Sequence, residues 1–323
     1  MKPTTWTAAL LLAAAALAPP ASRAADDWPS RPIRVMVAFP AGGSADIVGR
    51  FVTQKITEQT GWNFIIDNRP GAGGNLAFET TAAAEPDGYT ILFSTPGVVI
   101  NPSLYAKVPY KWDDFKAVSL VGEAPLVLLV NPALGIKNMA DLKKASVGKP
   151  DAIKFASSGN GSSSHLAADV LRTMGAIDYL HVPYKGGGAA MNDTIGGQTD
   201  ITVQPISESL SFIRSGKLLA LGQTGATRSP IAPDMPTMAE QGVTGYAVST
   251  WYVVLAPNRT PPAIIEKLHA AVDKALHASD LQDKLKGAGV AVIDGTPAQT
   301  TTFMTREYDK WSTAIKASGT RIE

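Results

Sequence analysis

From Ile33 onward the apolar residues fall into short continuous runs, each followed by a glycine turn and then by apolar positions three or four apart. Ile33–Phe39 reads as a strand. Behind it, Ile47, Val48, Phe51, Val52 and Ile56 mark one face of a helix over Ala45–Thr60, with Ser44 as its N-cap and Gly61 as its stop. Phe64-Ile65-Ile66 is the next strand, and Pro70–Asn75 leads into an Ala/Thr-rich helix that ends before Pro86. Asp87-Gly88 then turns the chain into the strand Tyr89–Ser94. A second series follows the same rhythm. It comprises Ile153–Ser157 with a helix His165–Met174, Tyr179–Tyr184 with a helix ending at Ile195, and the strand Ile201–Gln204. A helix Pro261–Ala278, a strand Val290–Ile293 and a helix Pro297–Lys316 close the chain.

Strands that alternate with helices imply an α/β fold of mainly parallel sheets flanked by helices. Two long β-rich runs break the alternation: Val118–Val130, interrupted at Gly122-Glu123-Ala124-Pro125, and Tyr246–Ala256. Read as strands that cross between lobes, they make the first lobe discontinuous, residues 25–124 with 246–323, and the second an insert, residues 125–245. Two such lobes hinge about a cleft. In open α/β sheets ligands sit at the carboxyl ends of strands, and here those ends carry the glycine-rich loops.

The N-terminal residues change the picture of where the chain works. Lys2, the apolar stretch Trp6–Leu17 and the small residues Ser22 and Ala24 have the layout of a secretory signal peptide, cut after Ala24. The apolar stretch is short for a membrane span, which needs roughly 20 residues. Of 29 Lys and Arg, Lys2 and Arg23 leave with it, so 27 basic residues face 28 acidic ones. A net charge near −1 gives no sign of a nucleic-acid partner. The absence of cysteine excludes disulfides, thiolate metal sites and cysteine nucleophiles. A freely diffusing periplasmic monomer is expected.

Candidate chemistry concentrates in the loops. Phe39-Pro40-Ala41-Gly42-Gly43-Ser44 leads from a strand into a helix N-terminus, where backbone N–H groups lack internal partners and attract an anion. Asp46 either accepts from a ligand or complements its own helix dipole. Ser94 and Thr95 end another strand and are assigned to the same cleft. The loop Ser157-Ser158-Gly159-Asn160-Gly161-Ser162-Ser163-Ser164-His165 supplies many neutral donors and almost no bulk, more than a connection needs. Tyr184 and Lys185 stand before Gly186-Gly187-Gly188, with Lys185 as the cation for a second acidic group, and Gln204 ends the last strand.

Competing chemistries find less support. Gly159-x-Gly161-x-x-Ser164 approaches a dinucleotide fingerprint, but the next strand ends Val182-Pro183-Tyr184-Lys185 without the carboxylate that ribose binding requires. Gly161-Ser162-Ser163-Ser164-His165 lacks the final glycine of a hydrolase nucleophile turn. His181, His269 and His277 are isolated in sequence and show no metal-ligand spacing. No cofactor, metal or catalytic residue is expected; a secreted serine hydrolase is the alternative of a different class. Enlarging Gly42 or Gly161 to a β-branched residue is expected to weaken binding more than it lowers melting temperature.

Five motifs in order complete the reading: Trp28-Pro29-x-Arg31-Pro32-Ile33-Arg34, Phe39-Pro40-Ala41-Gly42-Gly43-x-x-Asp46, Asn68-Arg69-Pro70-Gly71-Ala72-Gly73-Gly74-Asn75, Asp87-Gly88-Tyr89-Thr90 and Val182-Pro183-Tyr184-Lys185-Gly186. Together they resemble the Bug or TctC-like substrate-binding proteins of tripartite tricarboxylate transporters, over essentially the whole mature chain. The resemblance implies a type II periplasmic binding-protein fold, a Venus flytrap that closes on a small organic acid and delivers it to a membrane permease. It also implies that one loop of each lobe grips a carboxylate, matching Phe39–Asp46 and Ser157–His165. A sensor of the same fold would use the same closing motion. Relatives that bind amino acids often place an acidic residue after the last strand of the second lobe; Gln204, Pro205 and Ser207 stand there, so a di- or aromatic carboxylate without an amino group is expected.

Overall fold

The computed structural model describes residues 28–318 and 321–322, so the expected signal segment 1–24 lies outside the described residues. The first elements follow the apolar pattern: β1 (Ile33–Val37), α1 (Ser44–Thr60), β2 (Phe64–Asn68), α2 (Asn75–Ala82), β3 (Thr90–Ser94) and α3 (Gly97–Leu104). A 16-residue strand β4 (Phe115–Val130) leads to α4 (Met139–Ser146), β5 (Lys154–Ser157), α5 (Ser163–Thr173), β6 (Leu180–Pro183), α6 (Gly187–Ile195), β7 (Ile201–Pro205), α7 (Ile206–Arg214) and β8 (Leu219–Gln223). Then come β9 (Ser249–Pro257), α8 (Pro262–Leu276), α9 (Ser279–Gly287), β10 (Ala291–Gly295) and α10 (Pro297–Ser318). Among the described residues no helix is long and apolar enough to cross a membrane.

The strands run in the order β2-β1-β3-β9-β4-β7-β5-β6, with β8 and β10 also paired to β4. The outer pairs, β1 with β2 and β3 and β5 with β6 and β7, are parallel, as βα units require. The central strands β4 and β9 run antiparallel to their neighbours. This gives a two-lobed α/β architecture in which parallel units flank an antiparallel ribbon.

The sequence break expected at residues 122–125 is a continuous part of β4. Gly122 is there because the backbone of β10 passes close by: a Cβ at Gly122 would lie 2.4 Å from the Ala291 carbonyl oxygen. Pro125 stands where β4 changes partners, from β9 (Phe115–Pro125) to β7 and β8 (Leu126–Val130), so its missing N–H interrupts little of either ladder. The returning chain crosses beside it. Thr224 N–H donates to the Leu126 carbonyl at 2.8 Å and Leu126 N–H to Thr224 Oγ1 at 2.8 Å.

α1 buries Val48, Val52 and Ile56 in one core with Val35, Val37, Ile264, Leu268 and Val272. Each such side chain contributes on the order of 1.5–3 kcal/mol, and this anchoring fixes where the N-terminus of α1 points. Trp251 and Tyr252 are core residues, both buried. Two helix starts differ from expectation. Gly43, extended at φ −75 and ψ 164, precedes α1, and Ser44 is its first residue rather than its cap. α5 begins two residues earlier than its apolar pattern, because Ser162 Oγ accepts the His165 N–H at 3.2 Å and caps it.

Candidate ligand cleft

The carboxyl ends of β1, β3, β5, β6 and β7 meet around a cleft of about 670 Å³. From the sequence-derived set, Phe39, Pro40, Ala41, Gly42, Gly43, Ser44, Thr95, Ser158, Ser162, Ser164 and Lys185 line it. Asp46, Ser94, Ser157, Gly159, Asn160, Gly161, His165, Tyr184 and Gln204 do not form its wall. Most of these nine support the residues that do.

Asp46 is such a support. Its carboxylate accepts the Gly42 N–H at 2.9 Å, Asn68 Nδ2 at 3.0 Å and Arg50 Nε at 2.9 Å. Burial works to raise its pKa, but the bonds from Arg50, Gly42 and Asn68 outweigh it, and the net direction is down. Asn68 also donates to the Phe39 carbonyl at 2.9 Å, so one aspartate and one asparagine clamp the loop into shape. The Gly42 N–H, expected to meet a ligand, is used internally.

The serine loop is braced from behind in the same way. Ser157 Oγ lies 2.6 Å from His181 Nε2 and accepts the Gly159 N–H at 3.1 Å. Ser158 Oγ donates to Gln204 Oε1 at 2.8 Å, and Gln204 in turn donates to Thr202 Oγ1 at 2.7 Å. Ser162 Oγ donates to the Gly159 carbonyl at 2.6 Å. His165 Nδ1 accepts the Gly161 N–H at 3.3 Å, its Nε2 is 3.3 Å from Asp169 Oδ2, and its ring stacks on His181 with centroids 4.2 Å apart. Burial and the nearby Arg172 charge push His165 down to about 4; burial and the neighbouring His165 ring push His181 down to about 3. Ser164 is the exception, because the residue borders the cleft while its hydroxyl is buried and has no hydrogen-bond partner. A buried hydroxyl without a partner costs about 1–3 kcal/mol, which a ligand acceptor would recover.

Contacts between the two strand series close the far side of the cleft. Ser163 Oγ donates to Thr250 Oγ1 at 2.9 Å, and Tyr105 Oη donates to the Asn160 carbonyl at 3.3 Å. Gly73 explains its place in the Pro70–Asn75 loop, since a Cβ there would stand 2.4 Å from that same Asn160 oxygen. Tyr184 is turned away, its hydroxyl donating to Asp193 Oδ2 at 2.6 Å.

Glu208 is the functional residue that sequence reasoning missed. It stands in the first turn of α7, lines the cleft, and its Oε1 accepts the Ser44 N–H at 2.6 Å. Its other oxygen faces the start of α6, 2.9 Å from where a Gly187 Cβ would be. The N-terminus of α1 therefore holds one of the protein's own carboxylates. Burial raises its pKa, partly offset by the Ser44 N–H and hydroxyl. The expectation of a ligand without an amino group rested on there being no acidic residue after β7. Glu208 removes that ground: Pro205 joins β7 directly to α7, and the residue after Ser207 turns back into the cleft. Ala45, Leu126, Met191, Phe212 and Ala288 add an apolar wall.

Among the described residues no histidine nitrogen is paired with a serine hydroxyl of the cleft wall; the bonded pairs, Ser157 with His181 and Ser119 with His269, do not line it. His277, isolated in sequence, meets Asp294 of β10 at 3.1 Å and Asp273 at 3.7 Å in an exposed group away from the cleft wall. Spacing alone gave no sign of it, because Asp294 comes from another element.

Two lobes of parallel βα units, joined by an antiparallel ribbon and facing each other across donor-rich loops, define a periplasmic binding-protein fold. The periplasmic binding protein BugD shares it, with a TM-score of 0.86 and 30% identity over 92% of this chain and 100% of that one. Residues 48–320 match the tripartite tricarboxylate transporter family receptor model, and the chain belongs to that family. Rpa4515 of R. palustris, solved with adipate, is 31% identical at a TM-score of 0.86, covering 91% of this chain and 99% of its own. MatC from Rhodopseudomonas palustris, solved with bound malate, is 31% identical at 0.84, covering 89% and 100%.

Proposed function

We propose that this chain is a non-enzymatic periplasmic receptor that captures a small organic carboxylate, a dicarboxylate or aromatic acid, and passes it to a tripartite tricarboxylate-type permease. Its two bodies, residues 25–124 with 246–323 and residues 125–245, swing together on the acid as a monomer. The observation that carries this reading is the unpartnered, buried Ser164 hydroxyl, a neutral donor without an acceptor in a wall where the Ser158 and Ser162 hydroxyls are already engaged. Such donors bind a carboxylate without a buried countercharge, and release stays easy when the bodies part. The adipate and malate held by the two neighbours support the ligand class.

Isothermal titration against malate, adipate, succinate, benzoate, phthalate and citrate tests it. At least one acid is expected to bind, to be recovered unchanged, and to bind roughly tenfold more weakly to Ser164→Val, about 1.4 kcal/mol. No binding by any of them overturns the proposal.

Glu208 sharpens the expectation for a dicarboxylate, whose second charge approaches the Glu208 charge. At about 6 Å and an effective dielectric near 20 that repulsion is roughly 3 kcal/mol before screening. Glu208→Gln keeps an acceptor for the Ser44 N–H and removes the charge, so dicarboxylate affinity at pH 7 is expected to rise roughly tenfold by titration. A loss of affinity would show that Glu208 instead receives a donor from the ligand.

A further inference from the structure

The central ribbon has two faces, and the ligand cleft uses one of them. Side chains alternate along a strand, so on β4 Leu126 points to the cleft while Glu123 and Pro125 point away. On β9 Thr250 points to the cleft while Ser249 and Trp251 point away. Pro125 pairs with Ser249 and Glu123 with Trp251, so all four share the rear face. Behind that face lies a second cavity of about 620 Å³, close in size to the cleft. Its walls come from both sides of the ribbon: residues 225–230 after β8 on one side, and α9, β10 and α10 on the other.

The lining has the chemistry of a site. Ser229 contributes a buried hydroxyl with no hydrogen-bond partner. Trp251 and Phe303 meet edge to face, centroids 5.4 Å apart, and present aromatic surface. Glu307 is occupied, accepting from Trp251 Nε1 at 3.2 Å and Trp311 Nε1 at 3.1 Å and pairing with Lys310 at 3.4 Å. Arg228 is held by Glu240. Lys286 and Arg306 pair with no carboxylate among the described residues, Arg306 lying over the Phe303 ring at 5.5 Å. Two cations, an aromatic wall and an unused hydroxyl suit a planar organic anion.

We propose that this rear cavity is a second binding site, for an aromatic organic anion, mechanically coupled to the cleft through the ribbon they share. A swing about β4 and β9 that narrows the cleft widens the rear. The contacts across the cleft are made here, so the rear stands wide, and an occupant wedges the cleft shut. The coupling is therefore positive, and by linkage each ligand tightens the other equally. Only this coupling rests on the carboxylate-receptor reading; the site itself does not.

The probe is 8-anilinonaphthalene-1-sulfonate, followed by fluorescence on the natively folded chain. Saturable one-to-one binding is expected, at least tenfold weaker in the Arg306→Ala, Lys286→Ala double variant and unchanged in Ser164→Val, with near-UV circular dichroism confirming that each variant is folded. Absence of saturable binding, or a loss confined to Ser164→Val, overturns the site. With the probe saturating, malate is expected to bind the cleft severalfold more tightly; an unchanged malate affinity overturns the coupling and leaves the probe titration to decide the site. Failure of every carboxylate to bind, with the probe still held, counts against the receptor reading alone.

Discussion

Gly161→Val is expected to weaken carboxylate binding roughly 100-fold, about 2.7 kcal/mol, while lowering the melting temperature of the ligand-free chain by only a few degrees. Gly161 has φ +73, a region that costs an L-residue about 1–2 kcal/mol. That strain is all the separated lobes would feel. In the arrangement described here an added Cβ would stand 2.0 Å from Asn101 Oδ1. Asn101 cannot yield, being buried and held by its Nδ2 donating to the Gly73 carbonyl at 3.0 Å and to Asn75 Oδ1 at 2.7 Å. Gly161 precedes α5 and Asn101 lies on α3, so the clash falls between the two strand series and blocks their approach. Gly42 contrasts with it: φ is +82, but nothing lies within 4 Å of an added Cβ. Gly42→Val is therefore expected to show strain alone, with a binding loss well below that of Gly161→Val. Titration calorimetry paired with differential scanning fluorimetry reads both variants, and an equal loss of binding in the two would show that closure does not pass through Gly161.

The two glycines, grouped together by sequence, separate only when their neighbours across the cleft are known. The βα rhythm was legible because strand runs, glycine stops and helical spacing are local, and it located the loops that follow β1, β3, β5 and β6. What was illegible lies in pairings over long separations. Glu208 and Ser44 are 164 residues apart, and on sequence grounds Glu208 is an ordinary acidic residue complementing its own helix N-terminus. Gly42 and Asp46 are only four apart, yet the aspartate's choice of the Gly42 N–H depends on Asn68 and Arg50 completing the carboxylate's shell. α3 gave no helical signal because nearly all of it is buried and Pro102 interrupts it, so it has no polar face to set off an apolar one. The rear cavity needed the strand register, since only the pairing of Pro125 with Ser249 shows which side chains share a face.

Acidification from pH 7 to pH 4.5 is expected to cost the ligand-free chain on the order of 4–5 kcal/mol of unfolding free energy, at about 1.4 kcal/mol per pH unit and titrating site over the two units below 6.5. The stacked pair His165 and His181 is the source. Both are held as neutral rings, His165 buried and His181 half-buried, at about 4 and about 3, against 6.5 for an unconstrained histidine. Between those values and 6.5 the unfolded chain binds more protons than the folded one, so stability is full above 6.5 and declines as pH falls toward the folded values. Asp169 acts the other way. Burial raises its pKa, Tyr179, Arg172 and His181 counter that, and the net rise stabilises the fold at low pH, trimming the loss. The rings stack 4.2 Å apart, so charging one opposes charging the other, which keeps the folded pair neutral through this window while the unfolded chain takes up protons. Urea midpoints at the two pH values measure it, and His181→Gln, which keeps a partner for Ser157 and removes one titrating ring, is expected to flatten the dependence. Carboxylate affinity is expected to hold over that window and to fall only as pH approaches 4, where folded His165 takes up a proton and its Nδ1 can no longer accept the Gly161 N–H that shapes the serine loop. A wild-type midpoint unchanged down to pH 4.5 would mean that these rings are solvated, and that the serine loop is held without them.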